Sequence, residues 1–228
     1  MAVYYLLSGG NRLKGMFGSD AEEQLKIDLK EKTNLVSVGA KREYEKNDIY
    51  FYGDETILGT INSFKFSNLK NFNLIDGRTS KEKGLELLKK ADIIYLQGGD
   101  PFVQLKYLRD NGYDEFLKTY DGIILGLSAG SMNMGRTAFY SKDEDYPETT
   151  VYEGLGLVDI TIDPHFEIDN EDRVNEAMKY SNQLPIVGLP DSSIIRVVGD
   201  NVANIGIHYL FENGTMTKIN EPQEQKRL

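Results

Sequence analysis

The stretch Asp121–Gly135, DGIILGLSAGSMNMG, sets one serine between glycines, as Gly126-Leu127-Ser128-Ala129-Gly130. A serine hydroxyl is a weak nucleophile until a base takes its proton. G-x-S-x-G on a sharp strand-to-helix turn pushes the hydroxyl out to where a base can reach it. The flanking glycines have no Cβ to clash in so tight a turn. The turn also leaves the Ala129 amide at a helix start, aimed at a developing oxyanion. Glycine–serine strings occur in ordinary turns as well, so the rest of the chain must supply a base and an orienting acid.

The chain has two histidines, His165 and His208. His165 follows an apolar run and Asp163-Pro164, and the proline marks the end of a strand. That position suits a general base. His208 lies inside a strand leading into a hairpin and reads as a sheet-face residue. For the acid, Asp191 directly follows the run Pro185–Leu189, where an orienting carboxylate would sit, and an Asx turn is an equal reading of it. Asp143, Glu144 and Asp145 form an acidic loop that reads as solvated, with Asp143 and Asp145 kept as alternative acids. Gly98-Gly99-Asp100 closes another strand. There the Gly99 amide could join Ala129 as a second oxyanion donor, with Asp100 capping the next helix. Gly9 and Gly10 read first as a plain strand–helix turn.

The elements that must carry these residues alternate along the chain. Strands are expected at Ala2–Leu7, Asn34–Gly39, Phe72–Ile75, Asp92–Leu96, Gly122–Leu127, Leu157–Ile162, Pro185–Leu189 and Ile194–Val198. Helices are expected at Ser19–Lys32 with a Ser19/Glu22 capping box, and at Asp54–Phe66, Ser80–Lys90, Pro101–Asp110 and Asn170–Asn182. Thr137–Tyr152 reads as a loop, and Asn213-Gly214 as the turn of a hairpin, His208–Glu212 with Thr215–Ile219. Such alternation predicts a three-layer α/β/α fold, with a mostly parallel central sheet and a C-terminal β-hairpin. One domain over residues 1–221 and a frayed tail over 222–228 are expected. In open α/β sheets, sites form at the carboxyl ends of strands. That rule selects Ser8–Asn11, Gly98–Asp100, Ser128, His165 and Asp191.

Composition narrows the function. The net charge of −10 argues against nucleic acid and anionic membranes as partners. With no cysteine, disulfides, thiolate metal sites and cysteine nucleophiles are excluded. No signal peptide or bilayer-length apolar run is visible, so a cytoplasmic location is expected.

LSGG (7–10), YLQGGDPFVQL (95–105), GLSAGSMNMG (126–135), DPHF (163–166) and GLPDSS (188–193) together resemble peptidase family S51. The family holds aspartyl dipeptidases and cyanophycinases on a class I glutamine-amidotransferase-like fold. The resemblance implies Ser128 as nucleophile, His165 as base, Asp191 as third member, and the Gly99 and Ala129 amides as oxyanion hole. It also implies substrate contacts at Asp100, Asn170 and Arg173. The family's aspartate-reading arginine lies in a segment that is shorter here, with Asn170 near its place. A strict demand for N-terminal aspartate is therefore not expected.

The reading is a serine peptidase acting on short peptides, a monomer or homodimer that needs no cofactor or metal. Two alternatives stand beside it. One is an α/β-hydrolase-type esterase using Ser128, Asp191 and His208 in that chain order. The other is a non-catalytic binding protein that retains the elbow.

Overall fold

The computed structural model describes residues 1–10, 17–219 and 224–226. In order, the chain forms β1 (Val3–Leu7), α1 (Ser19–Asp28), β2 (Asn34–Val38), α2 (Tyr44–Tyr52), α3 (Gly59–Ser63), β3 (Asn71–Ile75), α4 (Lys81–Lys90) and β4 (Ile93–Leu96). Next come α5 (Pro101–Asp110), α6 (Tyr113–Thr119), β5 (Ile123–Leu127), α7 (Ala129–Met134), β6 (Thr137–Tyr140) and β7 (Thr150–Glu153). The remainder is β8 (Ile162–Pro164), α8 (Glu171–Tyr180), β9 (Ile186–Leu189), β10 (Ile194–Val198), β11 (Asn201–Ile205), β12 (His208–Glu212), β13 (Thr215–Ile219) and β14 (Glu224–Lys226).

The main sheet has the order β14-β11-β10-β1-β5-β4-β2-β3. Its strands from β1 to β3 run parallel, while β10, β11 and β14 add an antiparallel margin. Strand alternation sorts the apolar side chains to two faces. Leu6, Val36, Ile94, Leu96 and Ile124 pack with residues of α4 to α7, including Leu88, Leu108, Leu117 and Met132. Tyr5, Leu7, Leu35, Tyr95, Leu125 and Leu127 pack with Ala21 and Leu25 of α1, with Leu29 just after it and with Phe64. Helices thus cover both faces, giving the expected three layers.

The strands that lead into His165 and Asp191, β8 and β9, are not in that sheet. They build a second one, β13-β12-β9-β8, with its own core of Phe139, Phe166, Ala177, Ile186, Tyr209 and Phe211. The expected hairpin is its outer half, and Asn213 and Gly214 take φ of 51° and 68°, as a two-residue type I′ turn requires.

Several expected elements differ. The helix expected over Asp54–Phe66 shrinks to α3, because Gly53 and Gly59 adopt φ of 89° and 74° and break the helical path. An unexpected helix, α2, precedes it. The expected loop Thr137–Tyr152 is a hairpin, β6 with β7, whose Tyr140 and Tyr152 rings pack on Phe102 of α5. The strand expected at Leu157–Ile162 is only β8. Gly18, not Ser19, stands at the cap of α1. Of the tail expected to fray, Glu224–Lys226 pairs with β11; residues 222, 223, 227 and 228 lie outside the described residues.

Candidate active site

The elbow is built as its residues dictate. β5 runs parallel to β1 with Leu127 opposite Leu7, so Ser128 and Ser8 leave the sheet at one level. Ser128 has φ 49° and ψ −110°, a strained conformation for a residue with a Cβ. It is held there by neighbours. Its amide donates to Leu7 O at 2.8 Å. Ser131 Oγ accepts from Leu7 N at 2.9 Å and donates to Leu7 O at 2.8 Å. A Cβ on Gly130 would come within 2.2 Å of Leu96 O, so α7 packs directly on the backbone of β4.

His165 lies at the end of β8. Its Nε2 is 2.9 Å from Ser128 Oγ and its Nδ1 is 2.7 Å from Asp191 Oδ1. A carboxylate only accepts, so Nδ1 carries the proton and Nε2 is left to accept from the serine. The imidazole and carboxylate side chains are 48% and 55% exposed, so solvent screens their attraction.

His165 also has a left-handed backbone, φ 55°, clamped from both sides. Its N–H donates to the buried Ser8 Oγ at 2.6 Å, and Ser8 Oγ donates on to Asp191 Oδ1 at 3.3 Å. Its carbonyl accepts from Arg173 Nη1 at 3.1 Å. Arg173 itself grips the buried Asp163 in two prongs, Nε to Oδ2 at 2.9 Å and Nη2 to Oδ1 at 2.5 Å. Burial pushes the Asp163 carboxyl up from its ordinary value, and the two-pronged Arg173 contact opposes that.

A cavity of about 150 Å³ opens over this array. Ile57, Leu58 and Gly59 form one wall with Tyr50 and Ser63; Gly98, Gly99 and Leu127 form another. The Ala129 N–H, at the first position of α7, has no carbonyl one turn earlier to bond. Gly99 takes φ 147°, and a Cβ on Gly98 would sit 3.5 Å from Ser128 Cβ, so the glycine turn faces the serine.

Other expected residues have different employment. Asp100 caps α5, its Oδ1 accepting from Phe102 N and Val103 N and its Oδ2 from Tyr146 OH. Asn170 caps α8 by accepting from Arg173 N. Arg173 serves the His165 backbone, and neither Asn170 nor Arg173, both expected to contact substrate, lines the cavity. His208 is buried, with Nδ1 3.0 Å from Gly206 O and Nε2 3.2 Å from Ile194 O. The alternative order Ser128, Asp191, His208 therefore has no bonded base. Asp143 closes its own loop, accepting from Asp145 N and Tyr146 N; His165 is bonded to neither loop aspartate. Asn11, the last of the expected strand-end residues at β1, lies outside the described residues.

Two contributors do more than their sequence signals suggest. Ser8 carried a signal, its position at the end of β1. Gly9 reads in the sequence as a plain turn, yet a Cβ there would meet Asp191 Oδ1 at 2.3 Å and His165 Cε1 at 2.6 Å. The wall from α2 and α3 carried no chemical signature at all.

A three-layer α/β chain with a Ser–His–Asp array at a strand–turn–helix elbow defines a class, that of the elbow serines. Within that class the match is specific. Residues 56–205 fit peptidase family S51, and the chain belongs to that family. It is 32% identical over 159 residues to Peptidase E of Streptomyces coelicolor, covering 62% of this chain and 65% of that protein. It is 28% identical over 147 residues to Peptidase E of Nostoc sp., covering 58% of this chain and 61% of that protein. The crystal structure of a peptidase from an acI-B1 Actinobacterium superposes with a TM-score of 0.69 at 19% identity, over 100% of this chain and 97% of that one. That likeness shows the shared fold. Among the described residues, no helix is long and apolar enough to cross a membrane.

Proposed function

We propose that the protein is a serine peptidase that hydrolyses short peptides. The observation that carries this reading is the continuous line of hydrogen bonds from Ser128 through His165 to Asp191 at the floor of a cavity. Ser128 Oγ attacks the scissile carbonyl carbon while His165 Nε2 takes its proton. The oxyanion forms against the amides of Gly99 and Ala129. The tetrahedral intermediate collapses as His165 returns the proton to the leaving amine, and water hydrolyses the acyl-enzyme by the same sequence. Asp191 fixes the tautomer and stabilises the imidazolium.

The cavity wall of Tyr50, Ile57, Leu58 and Leu127 favours a neutral residue on the acyl side, because an unpaired carboxylate loses its hydration against such a surface. The relatives' activity as peptidases supports the reaction class. The test is Ser128→Ala. Hydrolysis of Ala-Leu and labelling by a fluorophosphonate should vanish while the melting temperature stays close to wild type. Undiminished turnover in the folded variant rejects the serine mechanism. For selectivity, kcat/KM should be at least as high for Ala-Leu and Asn-Leu as for Asp-Leu. A preference for Asp-Leu of roughly a hundredfold, nearly 3 kcal/mol, rejects the neutral acyl site.

A further inference from the structure

Gly99 separates two cavities. One is the catalytic cavity; the other is lined by Lys41, Arg42, Glu43, Lys46, Gly99, Asp100, Tyr140, Asp145 and Tyr146. Lys41 stands on the boundary. Its Cδ and Cε lie 3.0 and 2.8 Å from where a Cβ on Gly99 would be. Its ammonium sits 5.4 Å over the Tyr50 ring, and Tyr50 lines the catalytic cavity.

The backbone beneath Lys41 is fixed. Its N–H donates to Asn47 Oδ1 at 2.9 Å and its carbonyl accepts from Asn47 Nδ2 at 3.1 Å. Asn47 is fully buried and also donates to Asp76. The preceding carbonyl, Ala40 O, accepts from Asp100 N at 3.0 Å, which ties this segment to the glycine turn.

Carboxylates share the second cavity, but two of the three are engaged elsewhere. Glu43 pairs with Lys46 at 3.4 Å. Its own backbone amide and then Lys46 hold its pKa low, with Lys41 a smaller contributor. Asp100 is held by two helix amides and Tyr146. The third, Asp145, lies in an exposed loop. Among the described residues, Lys41 and Arg42 have no carboxylate within ion-pairing distance.

We propose that Lys41 receives the C-terminal carboxylate of a short peptide bound across Ser128, with Arg42 adding charge at the mouth. This rests on the peptidase reading above. The scissile oxygen is assigned to the Gly99 amide, and the terminal carboxylate of a dipeptide lies one extended residue away, roughly 3.5 Å. That is the region the Lys41 side chain spans from Gly99 to Tyr50. The apolar wall takes the acyl-side residue, so the cation is left for the leaving residue. The subsite thereby measures peptide length, because a longer peptide or an amide offers no carboxylate at that place.

Calorimetric titration of the Ser128→Ala chain tests this without turnover. Ala-Leu should bind about tenfold more tightly than Ala-Leu amide, in line with a charged hydrogen bond. In Ser128→Ala/Lys41→Met the two should bind alike. Methionine keeps the stem over Gly99, and a thermal melt reports whether the fold is kept. The proposal is overturned if neither ligand binds, if acid and amide bind equally in the Ser128→Ala chain, or if the preference survives Lys41→Met. It is also overturned if Asp-Leu amide regains the affinity that Ala-Leu amide lacks, since the carboxylate read would then be a side chain's. The peptidase reading fails separately, through a wild-type chain that neither hydrolyses Ala-Leu nor takes up fluorophosphonate.

Discussion

Asp191 holds His165 from a half-exposed position, and that exposure sets what it can contribute. A fully buried triad aspartate is worth about 10⁴ in kcat. Water around Asp191 screens its charge and can partly replace its hydrogen bond. Asp191→Asn is therefore expected to lower kcat by about 10²-fold, well short of the loss from His165→Ala, with KM little changed. A fall as deep as that of His165→Ala would show that the pair is shielded when peptide is bound. Gly9 acts by what it lacks. A methyl group at Gly9 would collide with both the acid and the base, although Gly9 is on neither of their elements. Gly9→Ala should thus cost at least about tenfold in kcat/KM, in keeping with the price of small misplacements at reacting groups. Its melting temperature should stay near wild type, because the displaced side chains are partly exposed. A melting temperature that falls along with activity would reassign Gly9 to the scaffold.

At the scale of elements, α7 shows packing outweighing propensity. Alanine is better than glycine inside a helix by about 1 kcal/mol. At Gly130, however, an added Cβ meets a main-chain oxygen of β4, and overpacking costs typically 1–3 kcal/mol. Gly130→Ala is expected to lower both stability and activity, since α7 must retreat and carry the Ser128 turn with it. Urea denaturation beside kcat measures both, and a stabilised, active variant would refute this account. Element by element, legibility followed the range of the determining contacts. β5 and the Ser128 elbow could be read because apolar runs and glycines are local. His165 and Asp191 could be placed at strand ends by Pro164 and Pro190. That their strands form a second sheet could not be read, because β8 and β9 alone do not reveal which strands they join. α2 is not legible in the sequence because it buries only Asn47 and Phe51, too few for a periodic stripe. The β6–β7 hairpin reads as a loop because its rings pack on partners far away in sequence, Tyr140 and Tyr152 on Phe102 and Phe139 on Tyr180. Lys41 had no motif, and its place beside Gly99 is purely a product of folding.

Across the whole molecule, the second histidine becomes a pH sensor of stability. Burial holds the His208 pKa below its ordinary 6.5, against the raising effect of the Gly206 and Ile194 carbonyls. As pH falls, the unfolded chain takes up this proton before the folded one does. The unfolded state then binds more protons, so stability rises with pH in this window. The contribution is complete above pH 6.5 and is lost as pH falls through the folded-state value. Between pH 7.5 and pH 5, the unfolding free energy of wild type should fall more steeply than that of His208→Gln, whatever the variant's starting stability. Parallel slopes would assign the acid sensitivity to carboxylates alone.

Ser128 hangs from the main sheet and His165 from the second, and Asp191 lies in the passage from β9 in the second sheet to β10 in the first. The reactive hydroxyl is therefore a clock for assembly. The two sheets share no strand, but a proton acceptor reaches Ser128 only when the two have docked, and the Ser8–Asp191 bond spans 183 positions of chain. Closures of that length come late, because their entropy must be met before their contacts form. After dilution from denaturant, the far-ultraviolet circular dichroism should recover ahead of the rate of fluorophosphonate uptake, and the gap between the two traces times the docking step. Recovery of both on one exponential would mean that the sheets do not form apart.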